Sequence, residues 1–379
     1  MKAEYRQVAL KSNIESHMQS NMAKLFGPAA LLILLCLTAS RLQTSLLYAQ
    51  SPAVNSSADP QAYAIILSGI GGDPDYEKMI DGWGQDLHTT LGASDMSRDQ
   101  LYWLAGKKLE GAHAESSKAE VTKLLTALAA RVRTQDSVAV YLIGHGSYDE
   151  YDYRFNMPGA DFTSRELAGM MDQLKAERQL VVNMTSSSGG SISDLRRKGR
   201  VLLSSTTAGQ ERNFSVFARY FVAGVQDSAA DADKNETISA LEAYRYAIRE
   251  VTRYYETAKR LATEHAVLED KGETDGVREP NAENGQGLLA AAIAVRKLGK
   301  TSEALDTPEI RQARARKRSA EETIEQLKYA KASMESVAYG KKLESLLLEL
   351  ARAQAALDKL EQASGAAPHS GENDVVPGK

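Results

Sequence analysis

Two apolar segments of this sequence end in side chains that could carry out acyl-transfer chemistry. His145 lies between two glycines at the end of the run 136–147. Three serines, residues 186–188, precede two glycines at the end of the run 180–190. A neutral imidazole can accept the proton of a hydroxyl, and a hydroxyl activated in this way can attack a carbonyl carbon. The two segments therefore predict a hydrolytic site if the fold brings them together.

The strands and helices predicted around these residues indicate that the fold brings the two segments together. Short apolar runs predict strands over 63–69, 101–106, 138–144, 180–184 and 200–206. Helical spacing of apolar residues predicts helices over 75–91, 118–132, 164–174, 214–225 and 240–252. Apolar strands that alternate with helices are typical of a parallel sheet covered on both faces. His145 and the serines follow consecutive strands, so we expect both at the carboxyl edge of the sheet, facing one crevice.

The strand order, the Gly-His-Gly after the third strand and the Ser-Gly-Gly after the fourth resemble the caspase/legumain group of cysteine peptidases over residues 62–255. The resemblance implies an α/β caspase-like fold, with a mostly parallel sheet and helices on both faces. It also implies that His145 is the proton acceptor and that the amide of Gly146 helps to bind the oxyanion. Ser186 occupies the position of the family's nucleophilic cysteine.

This cysteine-to-serine exchange leaves two hypotheses open. A thiol has a pKa of about 8.5 and is partly ionised near neutrality, whereas a serine hydroxyl needs strong help from a general base. The first hypothesis is a catalytically degenerate peptidase fold that acts as a binding or scaffolding module for a protein or peptide. The alternative is an active peptidase or hydrolase with Ser186 as nucleophile and His145 as general base. The chain's one cysteine, Cys36, lies in an apolar leader and excludes a disulfide framework.

A second candidate site is an acidic loop over residues 231–242 whose oxygen-bearing residues follow the spacing of an EF-hand calcium loop. Its predicted Ca²⁺ ligands are Asp231, Asp233, Asn235, Thr237 and Glu242. Glu236 stands where that loop normally has a glycine. The alternative is an acidic loop in which Thr237 caps the next helix. No cofactor other than this Ca²⁺ is predicted.

The N-terminal segment predicts export. Lys24 precedes the apolar run 25–39, which has the length of a signal peptide and is short for a membrane span. We expect a secreted or periplasmic protein, or one anchored to the membrane if the leader is not cleaved. The predicted organisation is a signal peptide or anchor over 1–49, a linker over 50–61, a caspase/legumain-like domain with its C-terminal extension over 62–300, a helical hairpin or coiled coil over 301–363 and a disordered tail over 364–379.

The C-terminal region and the overall charge bear on partners. The net charge is −4, and the first 49 residues carry +3, so the rest of the chain carries about −7, which argues against nucleic acid as a partner. Residues 307–362 are highly charged and carry apolar residues at three–four spacing, which predicts a helical hairpin or one long helix that closes on itself or forms a homodimer. The apolar residues of this stripe are Ile324, Leu327, Met334, Val337, Leu343, Leu347, Leu350, Leu357 and Leu360.

Overall fold

A computed structural model of the protein describes residues 60–94, 96–298, 307–331 and 334–364. The predicted leader, most of the predicted linker and nearly all of the predicted tail lie outside these residues. The strands are β1 Ala62–Ser68, β2 Leu101–Ala105, β3 Ala114–Glu115, β4 Ser137–Ile143, β5 Gly146–Tyr148, β6 Tyr153–Phe155, β7 Phe162–Thr163, β8 Arg178–Asn183, β9 Arg200–Ser204, β10 Thr237–Ser239, β11 Val267–Glu269 and β12 Ala294–Lys297. The helices are α1 Pro74–Gly92, α2 Lys118–Arg131, α3 Ser164–Met171, α4 Ile192–Leu195, α5 Phe217–Gln226, α6 Ala240–Thr257, α7 Leu288–Ala292, α8 Pro308–Ala330 and α9 Ser336–Ser364.

The central sheet has seven strands in the order β11–β9–β8–β4–β1–β2–β3. All neighbouring strands are parallel except β11, which pairs antiparallel with β9 at one edge. The five strands predicted from the apolar runs are all present, and the mostly parallel sheet is confirmed. Leu142 of β4 pairs with Asn183 of β8, so the two strands end side by side. The segments that follow them therefore leave the sheet together.

Helices cover both faces of this sheet, as predicted. Alternating side chains along each strand point to opposite faces. Ile66 packs with residues of α1, α5 and α6, whereas Ile65 packs with residues of α2, α3 and α4. Both strand residues are fully buried. The core thus lies in two layers that hold the strand ends in fixed positions.

The helices begin at residues that satisfy their first free amide groups. Asp73 caps α1 and is followed by a proline at the first helical position. Thr163 with Glu166 forms a capping box at α3. The predicted start of a helix at residue 214 is wrong, because α5 begins at Phe217. The carboxylate of Glu264 accepts hydrogen bonds from the amides of Val216 and Phe217, and this cap from a distant residue sets the start.

Two small sheets were not predicted. Strands β5, β6 and β7 form an antiparallel sheet directly after His145, and β10 pairs with β12. These strands have only two to four residues each, which is too short for a hydrophobic pattern.

The C-terminal helices α8 and α9 pack against each other, around Ile310, Ala313 and Leu357. The helices are separate, since α8 ends at Ala330 and α9 begins at Ser336. Leu347 and Val337 do not belong to the inward stripe that the spacing predicted, because both are exposed. Among the helices described, none is long and apolar enough to cross a membrane.

Candidate active site

Two glycines allow the chain to turn sharply at His145. Gly144, directly after β4, has a φ of 146°, a conformation that residues with a side chain rarely adopt. A Cβ atom on Gly146 would lie 2.5 Å from the Tyr153 ring and 2.6 Å from the carbonyl oxygen of Ser186. The backbone at Gly146 and the segment after β8 are therefore in contact, as the register of the strands requires. The predicted proximity of His145 and Ser186 in the fold follows from this contact.

The imidazole of His145 is held by a backbone carbonyl. Its Nε2 lies 3.1 Å from the carbonyl oxygen of Gly71, in the loop after β1. A carbonyl oxygen only accepts hydrogen bonds, so Nε2 carries the proton and the neutral ring has its lone pair on Nδ1. Burial lowers the pKa of His145, and the bond to Gly71 opposes this shift only in part. At neutral pH the ring is therefore uncharged and has a basic nitrogen.

The backbone of Asn156 holds the loops on either side of His145. Its amide donates to the carbonyl of His145 (3.1 Å), and its carbonyl accepts from the amide of Ile70 (3.2 Å). A Cβ atom on Gly69 would lie 2.5 Å from the same carbonyl oxygen. The ends of β1 and β4 are thus joined through one residue. No sequence pattern indicated this role, which depends on the short strand β6.

The hydroxyl of Ser186 is bonded to the backbone of Gly146. The Gly146 amide donates to Oγ (3.2 Å), and Oγ donates to the Gly146 carbonyl (3.0 Å). The side chain of Ser186 is 2% exposed. In the part of the chain that the structure describes, neither ring nitrogen of His145 forms a hydrogen bond with Ser186. The hydroxyl proton is therefore directed to a carbonyl rather than to a base.

Ser187 has a strained backbone and a buried hydroxyl. Its φ is 58° and its ψ is 12°, the left-handed conformation that costs a residue with a side chain about 1 kcal/mol or more. Its Oγ is fully buried and has no hydrogen-bond partner among the described residues. Its amide donates to the carbonyl of Glu211 (2.8 Å). The turn after β8 is thus fixed from outside by the loop after β9.

The third serine belongs to a buried hydroxyl network that joins the same two loops. Ser188 Oγ lies within 2.9–3.1 Å of the hydroxyls of Ser204, Ser205 and Thr206. Thr206 Oγ1 in turn accepts from the amide of Gly189 at 2.8 Å. The serine cluster that the sequence presented as one site therefore has three different environments. Ser188 therefore has a structural role.

Two backbone amides at this site bear on the binding of an oxyanion. The amide of Gly146 points at Ser186 Oγ. The amide of Ser186 has no hydrogen-bond partner within the described ranges. Paired backbone N–H groups of this kind stabilise the negative oxygen of a tetrahedral intermediate. The predicted participation of Gly146 thus has a geometric basis, although its amide is already engaged.

His265 also lies in this region, and its contacts were not predicted. Its Nδ1 is 2.8 Å from a carboxylate oxygen of Glu211, and the other oxygen of that carboxylate accepts from the amide of His265. Thr207 also donates its hydroxyl to the carbonyl of His265 (2.8 Å). The pair ties β11 to the loop after β9. Residues so distant in sequence could not be paired without the sheet order.

The acidic loop brings together three of its five predicted ligands. Carboxylate oxygens of Asp231, Asp233 and Glu242 lie within 4.8 Å of one another. Asn235 and Thr237 instead bond within the loop, where the Thr237 amide donates to Asn235 Oδ1 (2.9 Å). Three carboxylates at this spacing form a donor set that suits a hard cation. Ca²⁺ binding remains a prediction.

Local backbone geometry and electrostatics also bear on this loop. Glu236, at the position of the usual glycine, has a φ of 64°, so the sharp turn is made without glycine. The pKa of Asp233 is raised to about 6, because its carboxylate is partly desolvated although the residue as a whole is exposed, and the charges of Glu242 and Asp231 add to the shift. Ser239 caps α6 and Glu242 completes the capping box by accepting from Ser239, so the alternative that Thr237 caps this helix is wrong. The capping role of Glu242 therefore exists without an ion.

The fold and the arrangement of His145, Gly146 and Ser186 at the carboxyl ends of β4 and β8 define an α/β protein with a caspase-like peptidase fold. Residues 118–270 match the model of the Peptidase C13 family, the legumain family. This segment contains all three residues and the strands that carry them, and the expected resemblance is confirmed over it. No curated protein matches the chain.

Proposed function

We propose that the protein is an exported, catalytically degenerate member of the peptidase-like fold that binds a protein or peptide at the former active site. The observation that carries this proposal is the state of Ser186. Its hydroxyl is 2% exposed and donates its proton to the carbonyl of Gly146. A nucleophile must reach a substrate carbon and pass its proton to a base. Neither condition is met by Ser186 as it stands.

The apolar run 25–39 supports the exported location. A peptide as ligand is supported by a backbone donor beside His145 that suits a peptide carbonyl. The amide of Ser186 is such a donor, with no partner among the described residues. A ligand bound there would make main-chain hydrogen bonds without being cleaved. Leu347 and Leu348, both exposed on α9, support a further role of the C-terminal helices in contact with a second copy of the chain.

The alternative function is hydrolysis with Ser186 as nucleophile and His145 as general base. It is favoured by the tautomer of His145, whose Nδ1 lone pair is left available by the Nε2 bond to Gly71. A rotation of the Ser186 side chain away from Gly146 would be required first. Such a rotation would free the Gly146 amide as a second oxyanion donor.

Cleavage of a diverse eight-residue peptide library by the purified protein, followed by mass spectrometry, separates these functions. Wild type, Ser186→Ala and Ser186→Cys are compared at equal concentration. We expect the same absence of cleavage in wild type and Ser186→Ala. Cleavage by wild type that disappears in Ser186→Ala would establish the hydrolase. Cleavage only by Ser186→Cys would show that the site has lost its nucleophile alone.

A further inference from the structure

A partly exposed apolar surface adjoins His145. We call it the aromatic shelf and define it by Ile70, Tyr76, Met79 and Phe214. The ring of Tyr76 lies 5.3 Å from that of His145, edge to face, and the ring of Phe214 lies 5.1 Å from it. The two aromatic rings are 4.4 Å apart. The shelf therefore lies directly beside the imidazole of His145.

Apolar exposure is concentrated at this shelf. Large apolar side chains that are exposed occur at only eight positions in the described parts of the chain, and Ile70, Tyr76 and Met79 are three of them. They lie within ten consecutive residues and are 37–39% exposed. Single exposed apolar residues need no explanation, but a group of them beside a polar crevice is typical of a binding site.

The rim of the shelf is acidic. Asp75 and Met79 are four residues apart on α1 and lie on the same face of the helix. The carboxylate of Asp75 forms no ion pair with any residue described. Lys107, in contrast, neutralises Glu77 and Asp81 on another face of α1. Asp73 and Asp75 outnumber Lys78 on this exposed first part of α1, and none of the three forms an ion pair with a described residue, so the net charge left at the shelf is negative.

We propose that the aromatic shelf binds the side chain of one large apolar residue of an extended peptide, next to a lysine or arginine that pairs with Asp75. The inference rests on the proposed function, because it assigns the ligand of the same crevice. An extended peptide that passes His145 places one side chain against Tyr76 and Phe214, whose rings contact the imidazole. Apolar area and charge together select this class of peptide.

Fluorescence anisotropy with defined peptides tests the proposal. The probe is a fluorescein-labelled Gly-Ser-Gly-Phe-Lys-Gly-Ser peptide, with a second peptide in which Phe and Lys are exchanged. Replacing Phe by Ser, or Lys by Gln, removes one feature at a time. We expect the Phe-to-Ser change to weaken binding about tenfold, because most of an aromatic ring would lose its apolar contact.

Variants of the full-length protein locate the binding. Tyr76→Ser should weaken binding of the Phe–Lys peptide by a similar factor. Tyr151→Ser makes the same chemical change at a side chain that is 85% exposed and outside the shelf, and should leave binding unchanged. Asp75→Asn should weaken the Lys peptide and not the Gln peptide. Glu283→Gln removes one exposed negative charge elsewhere and serves as its control.

Equal affinity of wild type and Tyr76→Ser, or no binding of either Phe peptide, would overturn the proposal. The unchanged peptides are also checked by mass spectrometry after each titration. Cleavage of a peptide would overturn the degenerate function. The role of the shelf would still be decided by comparing the affinities of wild type and Tyr76→Ser. If the peptide binds without being cleaved and its affinity is the same for wild type and Tyr76→Ser, the role of the shelf is overturned and the degenerate function is not.

Discussion

Replacing Ser186 by alanine should destabilise the protein if its hydroxyl has become structural. The hydroxyl makes two hydrogen bonds to the backbone of Gly146, at 3.2 and 3.0 Å, from a side chain that is 2% exposed. A typical intramolecular hydrogen bond contributes a net of about 1 kcal/mol, and a buried group left without a partner costs about 1–3 kcal/mol. Because Gly146 is only half-buried, we expect the free energy of unfolding to fall by about 1–2 kcal/mol.

Urea denaturation followed by tryptophan fluorescence measures this change. The chain has two tryptophans, Trp83 and Trp103, and both pack in the main domain rather than in the C-terminal helices. The signal therefore reports on the unfolding of the sheet that carries the site. Ser147→Ala is the matched control, because Ser147 is the next residue but one after His145 and is exposed. We expect it to change the free energy by less than about 0.5 kcal/mol.

A Ser186→Ala variant as stable as Ser147→Ala, or more stable than wild type, would refute the reasoning. Residues kept for catalysis are often costly to stability, so their removal is neutral or favourable. Such a result would favour the hypothesis that Ser186 is a catalytic nucleophile. The same variant thus separates a structural hydroxyl from a catalytic one without any substrate.

Three further predictions follow from the geometry. Gly146→Ala should lower the free energy of unfolding by about 1–3 kcal/mol, because its Cβ would lie within 2.7 Å of three neighbouring atoms; urea denaturation measures this. Asp172→Asn should destabilise by about 1–3 kcal/mol in the same assay, because Arg200 is 1% exposed and pairs with Asp172 at 2.7 Å. Asp233→Asn should be more stabilising at pH 7.5 than at pH 5, because the pKa of Asp233 is raised to about 6; a series of thermal melts checks this.

The sign of the pH effect follows from linkage. A carboxyl whose pKa is higher in the folded state than in the unfolded state contributes stability at low pH, and this is lost as the pH rises through the folded value of about 6. Ca²⁺ should raise the melting temperature of wild type at pH 7.5 and have no such effect on Asp231→Asn. For the steric prediction, Gly82→Ala is the control, since its Cβ would meet nothing within 4 Å. Equal losses in the two glycine variants would contradict that prediction, and a pH-independent Asp233→Asn effect would contradict the electrostatic one.

The sequence predicted the part of the fold that depends on strong local patterns. The apolar strands could be located because β1 and β4 are largely apolar and buried on both faces, and because β8 contains the buried apolar run 180–182. The sequence placed His145 and Ser186 at the carboxyl ends of consecutive strands, and that β4 and β8 are neighbours comes from the structure.

Contacts between distant loops could not be predicted. The tautomer of His145 depends on Gly71, and the cap of α5 depends on Glu264, a residue 47 positions from Phe217. The aromatic shelf joins α1 to a residue before α5, so no periodic pattern in either segment shows it. The inward stripe of α9 was misplaced at Leu347, because three consecutive leucines allow more than one helical register.

The segment that matches the family model does not include β1, although β1 lies inside the central sheet. The family match starts at residue 118, whereas β1 lies between β4 and β2 and pairs with all seven residues of β4. A fragment that starts at residue 118 would present β4 as a long apolar edge with unpaired backbone groups, a template for aggregation. It would also lack the Gly71 carbonyl that orients His145. The segment that matches the family model is therefore the interior of the domain, and β1 is a necessary part of the same folding unit.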